Sequence, residues 1–404
     1  MINETAVQTF LNNHNYDIRK THNGRWIDQK CTPDVVNFVA DSTLQFSLDS
    51  NTSKSFTKND IWRYKYSEEY IPAIFNKPVT SENQVENEYD KFFAQPLELF
   101  ASARILNKSK RGRENIYTVA NQDVLEYISI NERNTINFLY MYFEKAINDS
   151  DIANLFEQFF RIQNQDSYLY LKDNFENFIR ASTPINGVDE PRRIFTKVIN
   201  ILAFKKHKCG TKRGRISKSI ITYPELMYNQ ENFRDLYADK PKGISRVDWE
   251  RNHPRDTNPN WFKYESMRAK KAVRRYNLTF NTGLSEVHTE NESAPATQIH
   301  HIFPEHAYHE IAMYHENLIA ITPNQHMTKA HPNNDTRRID FSYQRTLLLS
   351  KVHTIKKYVD TTVDGEFYSF DRFVEVLNIG LNVDYPISGN NYNTTIAIIN
   401  ESYR

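Results

Sequence analysis

Eight of the chain's 13 histidines, His288, His300, His301, His306, His309, His315, His326 and His331, fall within 44 consecutive residues. Histidine is the commonest metal ligand, and its ordinary pKa lies close to neutrality. A concentration of this kind points to metal chemistry, general-base chemistry, or both.

The segments around these residues read as elements able to position them. Gln298-Ile-His-His-Ile-Phe-Pro304 suggests a short strand and turn, and a polar loop leads on to the apolar strand Asn317-Leu-Ile-Ala-Ile-Thr322. Thr322-Pro-Asn-Gln325 has the pattern of a helix start, with Thr322 as cap, Pro323 at the first helical position and Gln325 three residues after the cap. The helix is predicted to run to about His331, before Pro332. The order is therefore strand, loop, strand, helix, with the histidine pair ending the first strand and His326 in the first helical turn.

This order, with the His300-His301 pair, Asn317 opening the second strand and His326 nine residues later, resembles the HNH, or ββα-metal, nuclease module over roughly residues 296–332. The run His300-His-Ile-Phe-Pro with Glu316-Asn-Leu-Ile is similar to bacterial HNH restriction endonucleases. The resemblance implies that His300 and His326 are metal ligands and that His301 is the general base. It further implies that Asn317 belongs to the catalytic set, tying the loop together or orienting His301. Colicin-type members carry a further histidine four residues along the helix, where this chain has Ala330, with its histidine at 331. Five residues is about 500° around an α-helix, so His331 is expected to point away from His326. A two-ligand site follows, suited to Mg²⁺, with Mn²⁺ as a substitute. His306, His309 and His315 are expected in a solvated or phosphate-neighbouring loop.

Cationic segments come next. Asn107-Lys-Ser-Lys-Arg-Gly-Arg113 lies between a helix-period stretch from Pro96 and the β-prone Ile116-Tyr-Thr-Val119, an order that suggests a winged helix or an ordinary surface hairpin. Between Pro191 and Pro224 cations accumulate, and Gly210-Thr-Lys-Arg-Gly-Arg215 suits phosphate contacts from a loop. A third cluster holds Arg268, Lys270, Lys271, Arg274 and Arg275. The candidate DNA contacts are accordingly Lys110, Arg111, Arg113, Lys212, Arg213, Arg215, Lys270, Lys271, Arg274 and Arg275, each equally able to serve as a solvated surface charge. Lys329 and Arg337 are weaker candidates. Arg25-Trp-Ile-Asp-Gln-Lys30 with Pro33-Asp34 has a passing likeness to PD-(D/E)xK nucleases, but the order is reversed. It reads as a buried Trp26 with an ion pair, or as a DNA-contacting arm.

Composition narrows the classes. Hydrophobic residues at 39% and 49 Tyr plus Phe in 404 residues exclude a disordered chain. The two cysteines, Cys31 and Cys209, form no CxxC pair, which removes a zinc ribbon or a disulfide framework. With 51 Lys+Arg against 50 Asp+Glu, nucleic-acid binding has to come from local patches. No apolar run approaches the roughly 20 residues of a bilayer span, and no secretory signal is visible, so a cytoplasmic location is expected. The 42 Asn look like compositional drift, and no repeat of fixed period is evident.

The expected architecture is α+β and multidomain. A mostly helical recognition region occupies 1–95, a winged-helix-like and helical domain 96–190, a basic DNA-contacting region 191–280, an HNH module 281–345, and a helical or strand extension 346–404. The resemblance and the cationic segments together imply a Type II restriction endonuclease, cutting double-stranded DNA site-specifically. A homodimer would match a palindromic target, and a cognate methyltransferase would protect the host DNA. A homing or less specific defence nuclease, and a DNA-binding regulator with a structural metal site, are the alternatives.

Overall fold

The computed structural model describes residues 3–49, 54–75, 86–228, 259–287, 294–331, 339–361, 367–383, 385 and 392–403. His288 and Arg337 lie outside the described residues. The protein is mixed α/β, mostly helical with small antiparallel sheets, and it divides into two compact units, Ile2–Asp256 and Thr257–Arg404. The boundary falls inside the stretch 191–280 that the sequence suggested as one basic region. No described helix is long and apolar enough to cross a membrane.

The first unit begins with α1 (Glu4–Asn12), α2 (Ile18–Thr21) and α3 (Pro33–Leu48). The run Val35–Ala40 lies within α3. Pro33 sits at the first turn, and the run is buried throughout, as an all-round apolar helix must be. β1 (Ser55–Phe56), α4 (Lys58–Trp62), α5 (Lys65–Phe75) and α6 (Glu86–Ser102) follow, then the hairpin β2 (Leu106–Arg111) and β3 (Glu114–Val119). The sheet order is β1-β3-β2, with Arg111 opposite Glu114 across the turn. α7 (Gln122–Ile130), α8 (Glu132–Asp149), α9 (Ala153–Ile162), α10 (Gln165–Ser182) and α11 (Asp189–Lys205) complete the helical body. The Gly210–Arg215 segment is a hairpin rather than a loop. β4 (Cys209–Lys212) pairs β5 (Arg215–Ile220) through a two-residue turn in which Arg213 (φ 53°) and Gly214 (φ 76°) are left-handed, as a primed hairpin turn requires. α12 (Tyr223–Leu226) ends the described part of this unit. Asparagines discounted as drift do defined work here: Asn3, Asn121, Asn131 and Asn164 each accept a backbone N–H at a helix start.

The second unit opens with α13 (Pro259–Phe280), which lies along the hairpin β6 (Gln298–His301) and β7 (Leu318–Ile321). Every β7 residue is buried because both faces are covered. Leu318 packs with Ala269 and Val273 of α13, whereas Ile319 and Ile321 enter the main core with Ile302, Phe303, Leu347, Leu348 and Phe373. After β7 the chain enters a π-helical turn, Gln325–Ala330, and then α14 (Phe341–Thr361), α15 (Phe370–Leu381) and α16 (Tyr392–Ser402). Thr322 and Gln325 exchange the reciprocal bonds of a capping box, Thr322 N–H to Gln325 Oε1 at 3.0 Å and Gln325 N–H to Thr322 Oγ1 at 3.1 Å. A Cβ at Gly380 would lie 2.4 Å from the Phe303 ring, so only glycine lets α15 approach that side chain.

Candidate functional site

His300 and His301 are neighbours on one strand, so their side chains leave opposite faces of the β6-β7 hairpin. Across the hairpin His300 is opposite Ile319, on the main-core side, and His301 is opposite Leu318, on the α13 side. A single dipeptide thereby supplies two separate environments.

On the core side, His300 meets the π-helical turn. The ring centroids of His300 and His326 are 5.2 Å apart, those of His300 and His331 4.9 Å, and those of His326 and His331 4.7 Å. One ring nitrogen from each residue lies within 4.8 Å of the others, a grouping able to hold a metal ion. The expectation that His331 turns away from His326 does not hold. It assumed α-helical geometry, whereas the hydrogen bonds of a π turn close over five residues and bring positions five apart onto one face. His331 itself leaves the turn in an extended conformation (φ −115°, ψ 101°).

Two observations test whether these residues suit a metal. Nε2 of His300 is buried and has no hydrogen-bond partner among the described residues, an arrangement that is costly unless something fills the space it faces. Burial, together with the neighbouring His331 and His326, pushes the His300 pKa down to about 2, and burial also lowers that of His326. Neutral imidazoles with available lone pairs are what a divalent ion requires. The residues fit the ion.

On the α13 side, His301 Nε2 lies 3.0 Å from the Ala312 carbonyl and 3.3 Å from Ser266 Oγ. A nitrogen facing a carbonyl carries the proton, which leaves the lone pair on Nδ1, 3.8 Å from Glu305 Oε2. Ser266 Oγ donates to the same carboxylate at 3.1 Å, and Lys270 Nζ stands 3.9 Å from it. Burial, with Lys270 adding to it, lowers the His301 pKa to about 3. Burial likewise lowers that of Lys270, whose charge acts on His300, His301 and His326. Ser266 and Lys270 are one turn apart on α13, so one face of that helix serves the site.

Asn317 is fully buried between these regions. Its Oδ1 accepts the Phe303 N–H at 2.8 Å, and its Nδ2 donates to the carbonyls of Phe303 at 3.0 Å and Ile311 at 3.2 Å. Of the two roles expected for it, these bonds are those of a loop tie. His301 is oriented instead by Ala312 and Ser266. His306 and His309 are exposed, but His315 is not a loop-surface residue. Its Nδ1 donates to the Phe367 carbonyl at 3.0 Å, and its ring stacks on Phe367 with centroids 4.4 Å apart.

The remaining cationic residues separate into classes. Lys110, Arg111 and Arg113, like Lys212, Arg213 and Arg215, are exposed around the turns of the two hairpins of the first unit. In the second unit Arg274 donates to the Thr297 carbonyl, Lys271 and Arg275 lie on α13, and Arg268 is buried against Glu265 and Tyr264. Trp26 is buried, and Arg25 pairs with both Asp28 and Glu190. Arg25 and Arg113 line one cleft of the first unit with Lys58, Lys91 and Lys108. Sequence reasoning missed Ser266 and Glu305, which carry no motif, and named Lys270 as a candidate DNA contact without placing it beside the histidines. Their signal is the helical spacing of 266 and 270 and a carboxylate four residues after His301.

No family model matches the chain, and no similar protein was found among curated proteins or solved structures.

Proposed function

We propose that the protein is a metal-dependent DNA endonuclease of the HNH type, and that it acts as a Type II restriction enzyme on double-stranded DNA. One observation carries this: His300, His326 and His331 converge on one face of a short hairpin while the adjacent His301 is held on the other by the Ala312 carbonyl at Nε2, with Nδ1 toward Glu305. Phosphodiester hydrolysis needs a base for water and positive charge for the phosphorane-like transition state.

In this proposal His300, His326 and His331 hold the ion, which supplies Lewis acidity toward phosphate when bound. Three nitrogen donors favour a borderline ion such as Zn²⁺ or Ni²⁺ over Mg²⁺ or Mn²⁺, which prefer oxygen ligands; the Mg²⁺ expected from two ligands is the weaker match. His301 takes the proton from water at Nδ1, and the Ala312 carbonyl fixes the tautomer that allows it. Lys270 offsets phosphate charge, and Glu305 and Ser266 hold that side of the site in register.

DNA recognition is assigned to the first unit. Support comes from the order α3, β1, α4, α5, α6, β2, β3, with β1 pairing β3 and a cationic turn at the hairpin tip, the arrangement of a winged helix. Lys110, Arg111, Arg113, Lys212, Arg213 and Arg215, with Lys271, Arg274 and Arg275 of the second unit, are the proposed phosphate contacts. A homodimer in the cytoplasm with a cognate methyltransferase completes the proposal.

The test is incubation of the purified protein with unmodified plasmids in Zn²⁺, Ni²⁺, Mn²⁺ or Mg²⁺, with a chelator control and the His301→Ala variant. Discrete fragments, lost with chelator and variant, are expected. A smear would mean a nonspecific nuclease. Intact DNA in every metal, with binding retained, would favour a regulator carrying a structural metal site.

A further inference from the structure

Lys110-Arg-Gly-Arg113 and Lys212-Arg-Gly-Arg215 are the same four residues, and Ser109 and Thr211 place a hydroxyl before each. The surrounding architecture repeats with them. Four helices precede each hairpin, α3 to α6 in the first case and α8 to α11 in the second, and a helix follows each. Both preceding helices end on a left-handed residue that is not glycine, Arg104 (φ 64°) and His207 (φ 52°). The next residue donates back across the helix end in both, Ile105 N–H to the Phe100 carbonyl and Lys208 N–H to the Ala203 carbonyl, each at 2.9 Å. The carbonyl of that same residue then accepts the N–H that closes the hairpin, from Ala120 at 2.9 Å and from Ile221 at 3.2 Å. A capping residue, Asn121 or Thr222, opens the following helix.

The copies differ in detail. The first has the extra strand β1, the second has an irregularity between Cys209 and Thr211, and the two-residue turn falls on Gly112-Arg113 in one and Arg213-Gly214 in the other. The left-handed helix end with its returning N–H also occurs at Asp151 and Asn382, a common way for helices to close; what the two segments share beyond it is the hairpin-closing bond to the carbonyl of that same residue, on either side of an identical Lys-Arg-Gly-Arg run. In the sequence the shared run is only four residues long, too short to show as a repeat of fixed period, and most of the correspondence lies in the backbone.

We infer that residues 33–130 and 132–228 are two copies of one module, and that each presents an equivalent cationic tip to the phosphates of one DNA duplex. This rests on the DNA-binding role proposed above and adds that a single chain carries two such contacts. Both tips stand free, with nothing within 4 Å of a Cβ built at Gly112 or Gly214. In each, one cation is engaged by a carboxylate, Arg111 by Glu114 at 3.3 Å and Lys212 by Glu225 at 2.8 Å. Lys110 and Arg113 in one tip, and Arg213 and Arg215 in the other, form no side-chain ion pair or hydrogen bond among the described residues. Each tip thus offers two uncommitted charges, and each neutralised phosphate adds roughly 0.9 to the salt slope of binding.

The experiment measures binding of the full chain, carrying His301→Ala to prevent cutting, to a labelled duplex over a range of salt. The variants are Lys110→Gln with Arg113→Gln, Arg213→Gln with Arg215→Gln, and all four together. Each pair is expected to lower the slope of log Kd against log salt by about 2, and the four together by about 4. Conservative Arg→Lys replacements at 113, 213 and 215 should keep the original slope, which separates lost charge from damaged folding. If one pair moves the slope and the other does not, the equivalence is overturned. If neither does while the parent binds with a salt-dependent Kd, the tips are not the contacts, and stronger binding to duplex RNA would also overturn the proposal. A parent that binds no duplex would remove the nuclease proposal itself.

Discussion

The imidazoles of His326 and His331 stand 4.7 Å apart between centroids, although five residues of α-helix would separate them by roughly 140°. The π-helical turn Gln325–Ala330 produces this relationship, and Gln325 anchors its start. Gln325 Oε1 accepts from Ser285 Oγ at 2.6 Å and from the Thr322 N–H at 3.0 Å, while its Nε2 donates to the Val287 carbonyl at 3.1 Å. π turns are rare and concentrate at functional sites, consistent with one being maintained here to bring a third nitrogen to the cluster.

The first prediction concerns that third nitrogen. His331→Ala should weaken Zn²⁺ or Ni²⁺ binding by more than about 100-fold, because loss of groups that merely support a ligand already costs 10–100-fold. Lys329→Ala, on the same turn but exposed, should leave it unchanged. Competition with a chromophoric chelator measures both. Equal affinity in the parent and His331→Ala would return the site to two ligands.

The second prediction separates the two faces of the hairpin. His301→Ala should lower the cleavage rate by roughly 10²–10⁴-fold, the usual contribution of a positioned base, and leave metal affinity within a few-fold of the parent. His300→Ala should abolish both. A plasmid assay beside a metal titration distinguishes them, and a matching loss of metal binding in both variants would contradict the division of labour.

Much of this site is legible in the sequence because its determinants are local. The strand, loop, strand, helix order follows from alternation and capping, and Thr322 with Gln325 forms the cap that those residue types suggest. His331 was misplaced because nothing in Gln325–Ala330 signals five-residue hydrogen bonding; the turn is held by Ser285 and Val287, distant in sequence. Ser266 and Glu305 carry no signal for the same reason, and Lys270 is visible only as one cation of a cluster. Asparagine caps were obscured by abundance, since one residue in ten being Asn hides the few that accept a helix N–H.

Asn317 supports a third prediction. Truncation to alanine would leave the buried Phe303 N–H without its acceptor and the Phe303 carbonyl without its side-chain donor, whereas the Ile311 carbonyl keeps the Tyr314 N–H at 3.1 Å. Each stranded buried group costs about 1–3 kcal/mol, so Asn317→Ala should destabilise the chain by about 2 kcal/mol or more. Asn317→Asp keeps the acceptor for Phe303 but turns a buried carboxylate oxygen toward those carbonyls, so it should also destabilise at pH 7 and recover as the carboxyl is protonated at lower pH. Urea unfolding measures the difference. Full stability with activity alone lost would instead make Asn317 a participant in the chemistry.

The last prediction follows from His315. Burial lowers its pKa to about 4, and the Phe367 carbonyl that takes its Nδ1 proton only partly opposes this. Arg372, Lys351 and Arg268 face it and disfavour a further positive charge. A histidine whose folded pKa lies below the ordinary 6.5 contributes stability that is complete above 6.5 and is lost as pH falls toward 4. A shift of this size corresponds to about 3 kcal/mol across that window. His315→Phe keeps a ring against Phe367, and the Phe367 carbonyl retains the Arg372 guanidinium at 3.2 Å, so the substitution strands no acceptor. The variant should be somewhat less stable than the parent at pH 7 and should lose less stability on acidification, so that the difference between them narrows or reverses by pH 4. Chemical denaturation at several pH values in the presence of chelator, which removes any metal-linked contribution, provides the comparison. Parallel pH profiles for the two proteins would show that His315 is not the group whose protonation loosens this unit.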